Sequence, residues 1–146
     1  MKIIFLGTTG VHHSLVAANI YLERLQGSDF EMLEGYADLD KDNSGFPIYV
    51  AQDEQGNQVY TLGAGKNIGI GKKTIEELVA VLGYSSRDLL VKPISIKGDN
   101  ILYFLGKIPR LMGGAYLNLF ISNYILNKEI SYIEKEIAEF KISISH

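Results

Sequence analysis

The sequence contains no cysteine and no tryptophan, and only three of its 146 residues are proline. Without cysteine the chain has no disulfide, no thiolate nucleophile, no cysteine-ligated zinc and no iron–sulfur cluster, and this composition is typical of a reducing, cytoplasmic location. Only three histidines are present. We therefore predict no metal site, and nothing in the composition identifies a cofactor.

The chain also lacks an excess of positive charge, because 14 Lys and Arg stand against 17 Asp and Glu, for a net charge of −3. Nucleic-acid-binding proteins usually carry a basic surface, so we expect no nucleic-acid partner. Long apolar runs are missing as well. The uncharged stretch 111–127 is broken by Gly113 and Gly114 and is shorter than the roughly 20 residues of a membrane span. We assign it to the core and expect no membrane partner.

At 47% hydrophobic residues the chain can bury a core, and we predict one domain over residues 1–146. The short apolar run 2–6 is too short for a signal peptide and predicts a strand. An Ala- and Leu-rich helix is expected over 11–26, followed by an acidic loop with one short helix over 27–45. Two β-branched, aromatic runs, 46–52 and 58–63, predict a hairpin.

In the second half, the Thr74 to Glu77 spacing is a capping box and predicts that a helix begins there. Residues 89–96 predict a strand, and Asp99 is expected to cap a helix that stops before Gly113. We predict a strand over 115–126 and a final helix capped by Asn127. Alternating strands and helices indicate a single-domain α/β layered fold, Rossmann-like or P-loop-like, with a mostly parallel sheet of about five strands flanked by helices.

Ligands of open α/β sheets bind beyond the carboxyl ends of strands, so the loop from Gly7 to Ser14 is the first candidate site. It is a degenerate match to the phosphate-loop pattern, with histidines where the second glycine and the lysine belong. Backbone N–H groups at a helix start can bind an anion. Candidate ligand-binding residues here are Thr8, Thr9, Gly10, His13 and Ser14. His12 is the candidate catalytic residue, as general base or phosphoryl acceptor, and we expect its loss to cost little stability.

A second glycine-rich loop follows residue 63 and carries Lys66 and Lys72, which we take as further candidate phosphate ligands. No later strand ends in the aspartate that would position magnesium, which argues against true nucleotide hydrolysis. Residues 40–45 copy the first half of a calcium loop, but Ala51 stands where a bidentate Glu is required. Whether residues 40–45 bind a cation stays open.

The chain resembles an uncharacterised bacterial family of the Firmicutes, domain of unknown function 3189, through most of its length. The resemblance lies in the turn Thr9-Gly10-Val11-His12-His13-Ser14, in the hairpin around Gly56, and in the order of elements in the C-terminal half. The chain departs from the family at Thr9 and His13, where the family tends to have Gly and Ser. The resemblance implies a fold but no activity.

Two hypotheses follow from these residues. The first is binding of a phosphorylated small molecule or nucleotide at the first strand–helix loop, with His-dependent phosphoryl or hydrolytic chemistry as an extension. The second is a non-catalytic regulatory or assembly module whose glycine turns are structural and which forms a homodimer through an apolar surface. Whether the chain is an enzyme is left open.

Overall fold

The computed structural model describes residues 1–25 and 27–145. Four strands are present in this part of the chain: β1 (Lys2–Gly7), β2 (Ile48–Gln52), β3 (Gln58–Gly63) and β4 (Leu89–Pro93). Five α-helices accompany them: α1 (His13–Tyr21), α2 (Leu39–Asn43), α3 (Ile68–Val81), α4 (Asp99–Leu105) and α5 (Gly114–Ile144). The described residues also form two short 3-10 helices, Phe30–Met32 and Arg110–Met112. The fold is a single α/β domain.

The strands form one mixed sheet in the order β2-β3-β1-β4. β1 runs parallel to both β3 and β4, whereas β2 pairs with β3 in the antiparallel direction of a hairpin. The predicted hairpin is confirmed, and so is the mostly parallel sheet. We expected about five strands, but the described residues form four, because the segment expected to supply the fifth is helical.

The two faces of β1 are covered differently. Phe5 is fully buried and packs against Tyr21 of α1 and Phe140 of α5, with ring centroids 5.5 and 5.7 Å apart. Leu6 points to the other face, which α3 covers through Gly71. All eight buried positions of α1 and the buried stripe of α5 lie on the Phe5 side, whereas α3 buries none of its residues. The main core therefore lies between the sheet, α1 and α5.

The prediction for residues 115–126 was wrong: this segment is not a strand but the first part of α5. Consequently Asn127, expected to cap the last helix, lies inside α5. The alternation of Leu117, Leu119 and Ile121 suggested a strand, but the side chains buried by the fold recur at helical spacing and include two polar ones. The buried positions of α5 are Gly114, Asn118, Ser122, Ile125, Leu126, Ile133, Ile137 and Phe140.

Other helix bounds also differ from expectation. α1 is shorter than residues 11–26 and gives way to a turn in which Glu23 has a φ of 57°; Gln26 lies outside the described residues. α3 begins at Ile68, ahead of the capping box at Thr74, because Gly69 and Gly71 are helical rather than part of a loop. The helix at Asp99 is confirmed, but it ends at Leu105 rather than just before Gly113, and its N-cap is Gly98, whose φ of 91° favours glycine. The short helix expected within 27–45 is α2.

No helix in residues 1–25 and 27–145 is long and apolar enough to cross a membrane.

The register of α5 can be tested with two isoleucines of the same helix. Ile133 is fully buried and Ile142 is largely exposed. We expect Ile133→Ala to lower the free energy of unfolding by about 2–5 kcal/mol, because it leaves a cavity in the core. Ile142→Ala should change it by less than about 1 kcal/mol. Urea denaturation checks both, and equal losses would contradict this packing of α5.

Candidate functional site

The first and second glycine-rich loops lie at the same edge of the sheet. β1 and β3 are adjacent and in register, so Gly7 lies opposite Gly63. The Ala64 and Gly65 N–H groups donate to the carbonyl oxygens of Gly7 and Thr8, at 2.8 and 3.2 Å. A Cβ on Gly63 would come within 3.0 Å of the Gly10 nitrogen. Only glycine at position 63 allows this close approach of the two loops.

The backbone of the first loop presents a series of N–H groups at the start of α1. The Gly10 N–H donates to Asp42 Oδ1 across 2.6 Å. Among the hydrogen bonds of the described residues, none uses the N–H of Val11, His12, His13 or Ser14 as donor, and α1 has no side-chain cap. Unpaired N–H groups at a helix N-terminus carry partial positive charge and favour an anion.

Asp42 of α2 supplies the carboxylate that reaches the Gly10 N–H. Its Oδ1 lies 2.7 Å from the place where a Cβ of Gly63 would be and 3.3 Å from the corresponding place at Gly10, so the carboxylate sits between the two loops. Its half-buried position raises the pKa of Asp42, and the hydrogen bond from Gly10 opposes that shift. The Gly10 N–H therefore already binds an oxyanion, which is the carboxylate of Asp42.

His12 is fully buried and both of its ring nitrogens are engaged. Asn118 Nδ2 donates to the carbonyl oxygen of Ala37 (3.1 Å), which leaves Asn118 Oδ1 as the acceptor facing His12 Nε2 at 2.7 Å. The network therefore assigns the proton to Nε2. Nδ1 then accepts from the Thr9 hydroxyl at 2.7 Å. The Thr9 hydroxyl is thus held by the imidazole of His12, and the amide of Asn118 orients that imidazole through its other nitrogen. A hydroxyl nucleophile and its base are arranged in the same way.

Both histidines of the loop are neutral at physiological pH. Burial lowers the pKa of His12 to about 4, against the opposing effect of the hydrogen bond to Asn118. Burial also lowers the pKa of His13 to about 3, with a further decrease from His12, whereas the backbone of Ile94 raises it. The backbone of Ile94 lies near His13, but His13 Nδ1 has no hydrogen-bond partner among the described residues. Neither ring supplies a positive charge to an anion; His12 can act as a base.

The hydroxyl groups of the loop are used inside the protein. Thr8 Oγ1 donates to the carbonyl oxygen of Asp99 (2.9 Å), and Ser14 Oγ donates to that of Thr9 (2.6 Å). Thr61 of β3 donates to the carbonyl oxygen of Gly10 (2.7 Å). These bonds fix the loop against β3 and α4, so its backbone N–H groups are held in place before any ligand binds.

The structure does not bring Lys66 or Lys72 into the first loop. Lys66 Nζ lies 4.7 Å from the centre of the Phe104 ring. Lys72 is inside α3 and pairs with Glu76, at 3.6 Å. A role for either lysine in phosphate binding remains a prediction.

The acidic residues 40–45 do not converge on one point. Asp40 forms an exposed ion pair with Arg110 at 2.7 Å, whereas Asp42 turns inward to Gly10. Within residues 1–25 and 27–145, no group of three or more His, Asp or Glu side chains is arranged to hold a metal ion.

Asn118 and Asp42 are the residues of the candidate site that sequence reasoning missed. Asn118 lies in the segment expected to be a strand, and its role depends on the helical register of α5. Asp42 was noted only as part of a calcium-like pattern. The Gly45 that ends this pattern has a φ of 72° and indicated a turn, but not the direction in which Asp42 points.

An open cavity of about 370 Å³ lies next to Asn118 and includes Tyr36, Leu39, Ile108 and Arg110 in its wall. The Tyr36 ring stands edge-on to the His12 ring, with centroids 6.0 Å apart. The hydroxyl of Tyr36 donates to Asn123 Oδ1 at 2.9 Å. The cavity is thus separated from the loop by the side chains that position His12.

The sequence matches the model of a protein family described as proteins of unknown function (DUF3189), over residues 2–142. The chain belongs to this family, as its resemblance indicated. No curated protein and no solved structure shows a significant match to the chain. The site must therefore be judged from its own geometry.

The expectation that His12 carries little weight in folding was wrong in its premise, because the residue is fully buried. Replacing it leaves the Thr9 hydroxyl and Asn118 Oδ1 without their partner. We expect His12→Ala to lower the free energy of unfolding by about 3 kcal/mol, since each buried group left unpaired costs about 1–3 kcal/mol. Chemical denaturation measures this. A loss below 1 kcal/mol would contradict the network.

The low histidine pKa values predict a dependence of stability on pH. The unfolded chain binds protons below pH 6.5, but the folded chain does so only near pH 4 for His12 and pH 3 for His13. Stability from these groups is complete above pH 6.5 and falls as the pH decreases, by about 2 kcal/mol per histidine at pH 5. Urea titrations at pH 7.5, 6 and 5 test this. His12→Gln should lose about half of the pH dependence.

Proposed function

We propose that the chain binds a phosphorylated small molecule or nucleotide at its first strand–helix loop, with the N–H groups from Gly10 to Ser14 as donors. The observation that carries the proposal is the Asp42 carboxylate, placed 2.6 Å from the Gly10 nitrogen. A carboxylate in that position supports the loop as an oxyanion site.

The loop has more donors than Asp42 uses. One carboxylate oxygen reaches Gly10, while the N–H groups of Val11, His12, His13 and Ser14 donate to no acceptor in the described chain. A phosphoryl group has three terminal oxygens and a larger charge, so it can use several of these donors at once. A phosphate would gain contacts that Asp42 does not make.

Access requires that Asp42 leave the loop, and apart from its hydrogen bond with Gly10 the contacts that hold α2 are weak. α2 is five residues long and buries none of them. The ion pair of Asp40 with Arg110 is highly exposed, and exposed pairs contribute about 0–1 kcal/mol. In the proposed binding event α2 moves away and the incoming anion replaces the carboxylate.

His12 is a general base in this proposal rather than a phosphoryl acceptor. Both of its ring nitrogens are engaged, so accepting a phosphoryl group requires breaking a bond to Thr9 or Asn118. Taking a proton from the Thr9 hydroxyl through Nδ1 requires no rearrangement. Any hydrolytic or phosphoryl chemistry at the site would begin there.

The test is ligand binding by Asp42→Asn, with Asp40→Asn as the matched control on the same helix. Asp42→Asn removes the competing charge and should tighten binding of pyrophosphate or a nucleoside diphosphate about tenfold, because a charge-assisted hydrogen bond contributes about 1.5–3 kcal/mol. Asp40→Asn should bind as the wild type does. Isothermal titration calorimetry gives the dissociation constants.

Gly63→Ala provides the opposite perturbation, since its Cβ would fall within 3.1 Å of Gly10 and Thr9. It should weaken binding, whereas Gly69→Ala, where nothing lies within 4 Å, should not. Absence of binding in both the wild type and Asp42→Asn, with pyrophosphate and nucleotides at millimolar concentration, would reject the proposal. The non-catalytic module would then be preferred, as the internal use of the Thr8 and Ser14 hydroxyls favours it.

A further inference from the structure

One side of α5 exposes an apolar surface that the proposed ligand site does not use. Within α5, Tyr116, Phe120 and Tyr124 recur at every fourth position and therefore lie on one face. Together with three neighbours they form the apolar stripe: Leu111, Met112, Tyr116, Leu117, Phe120 and Tyr124. Their exposure ranges from 37% at Leu117 to complete exposure at Leu111.

The size of the apolar stripe is that of a protein interface. At these exposures the six side chains together present on the order of 800 Å², the area that each partner contributes to a standard interface. Tyrosine, phenylalanine and methionine are enriched at interface centres, where charged residues are depleted. The apolar stripe fits this composition.

Charges are distributed unevenly along the same helix. From Ile101 to Lys128 the chain has no Asp or Glu, and its three charged residues in that range are Lys107, Arg110 and Lys128. Beyond Lys128 the acidic residues return, and Glu134 is exposed and lies five turns from Tyr116 on the same face. The start of the stripe is therefore positive, and the acidic side chains of α5 all follow it.

We propose that two copies of this chain pair through the apolar stripe as a two-fold dimer with antiparallel α5 helices. With Phe120 near the axis, Tyr116 of one copy meets Tyr124 of the second copy. The same arrangement places Arg110, which pairs with Asp40 in its own chain, beside the acidic half of the other helix, where Glu134 lies on the face of Tyr116. In the same register Lys128 of one copy lies opposite Met112 of the other.

The apolar stripe and the proposed ligand site lie on opposite sides of α5, and the residue common to both is Arg110, which pairs with Asp40 of α2. Asn118 and Ser122 face inward, toward His12 and Tyr36. Tyr116, Phe120 and Tyr124 face outward. The dimer does not depend on ligand binding, and the failure of one proposal leaves the other standing.

The first experiment measures molar mass by sedimentation equilibrium over a concentration series. The wild type should approach twice the chain mass, and Phe120→Glu should be monomeric at the same concentrations, with the dimer dissociation constant raised at least a hundredfold. Phe46→Glu is the matched control, because Phe46 is also exposed, at 74% against 65% for Phe120, and lies outside the stripe. It should dimerise as the wild type does.

The second experiment introduces a single cysteine into a chain that has none. Any disulfide between two copies must then form at the introduced position. Under mild oxidation two Phe120→Cys chains lose two thiol protons and two electrons to the added oxidant, oxidised glutathione, and form one disulfide across the two-fold axis. We expect rapid and nearly complete cross-linking for Phe120→Cys. Phe46→Cys should cross-link slowly.

A wild type that stays monomeric at several hundred micromolar overturns the proposal. Cross-linking of Phe120→Cys no faster than Phe46→Cys also overturns it, even if the mass shows a dimer, because the contact would then lie elsewhere. Binding of a monomeric wild type to anionic phosphatidylglycerol vesicles, lost in Phe120→Glu, would assign the stripe to a lipid surface and reject the dimer.

Discussion

The hydrogen bond between His12 and Asn118 connects the loop after the central strand to the longest helix, and the polar interior of the protein depends on it. His12 holds the Thr9 hydroxyl on one side. Asn118 extends the chain of bonds to the carbonyl oxygen of Ala37, just before α2. Three segments far apart in sequence are thereby fixed around one neutral imidazole. In a dry interior such a network is favourable only when every member is satisfied.

The parts of the fold that the sequence predicts are those formed by residues close together along the chain. The first strand, its loop and the hairpin follow from local patterns and were predicted at nearly the observed bounds. The start of α5 was not predicted, because the alternating apolar residues of this segment fit a strand as well as a helix. The helix is favoured because it buries Asn118 and Ser122 against distant partners. Local periodicity does not reveal a polar residue whose partner is 106 positions away.

The candidate site shows the same division. The glycine turn and the helix start indicated backbone donors, and in the described chain the N–H groups of Val11, His12, His13 and Ser14 donate to no acceptor. The loss of His12 was expected to cost little stability, but burial makes both histidines neutral and part of the core. Asp42 belonged to a segment that copies only the first half of a calcium loop. Its contact with Gly10 arises from the tertiary position of α2. Sequence located the donors but not the group that occupies them.

In the proposed function, a carboxylate attached to the same chain changes which anions can compete for the loop. Because Asp42 is tethered, it faces the Gly10 N–H at a high effective concentration that dilution does not reduce. Chloride, acetate and other singly charged ions offer little that this carboxylate does not already provide. Only an ion with several oxygens and more than one negative charge gains enough from the remaining N–H groups to replace it. The short helix α2 would thus act as a filter for polyvalent oxyanions.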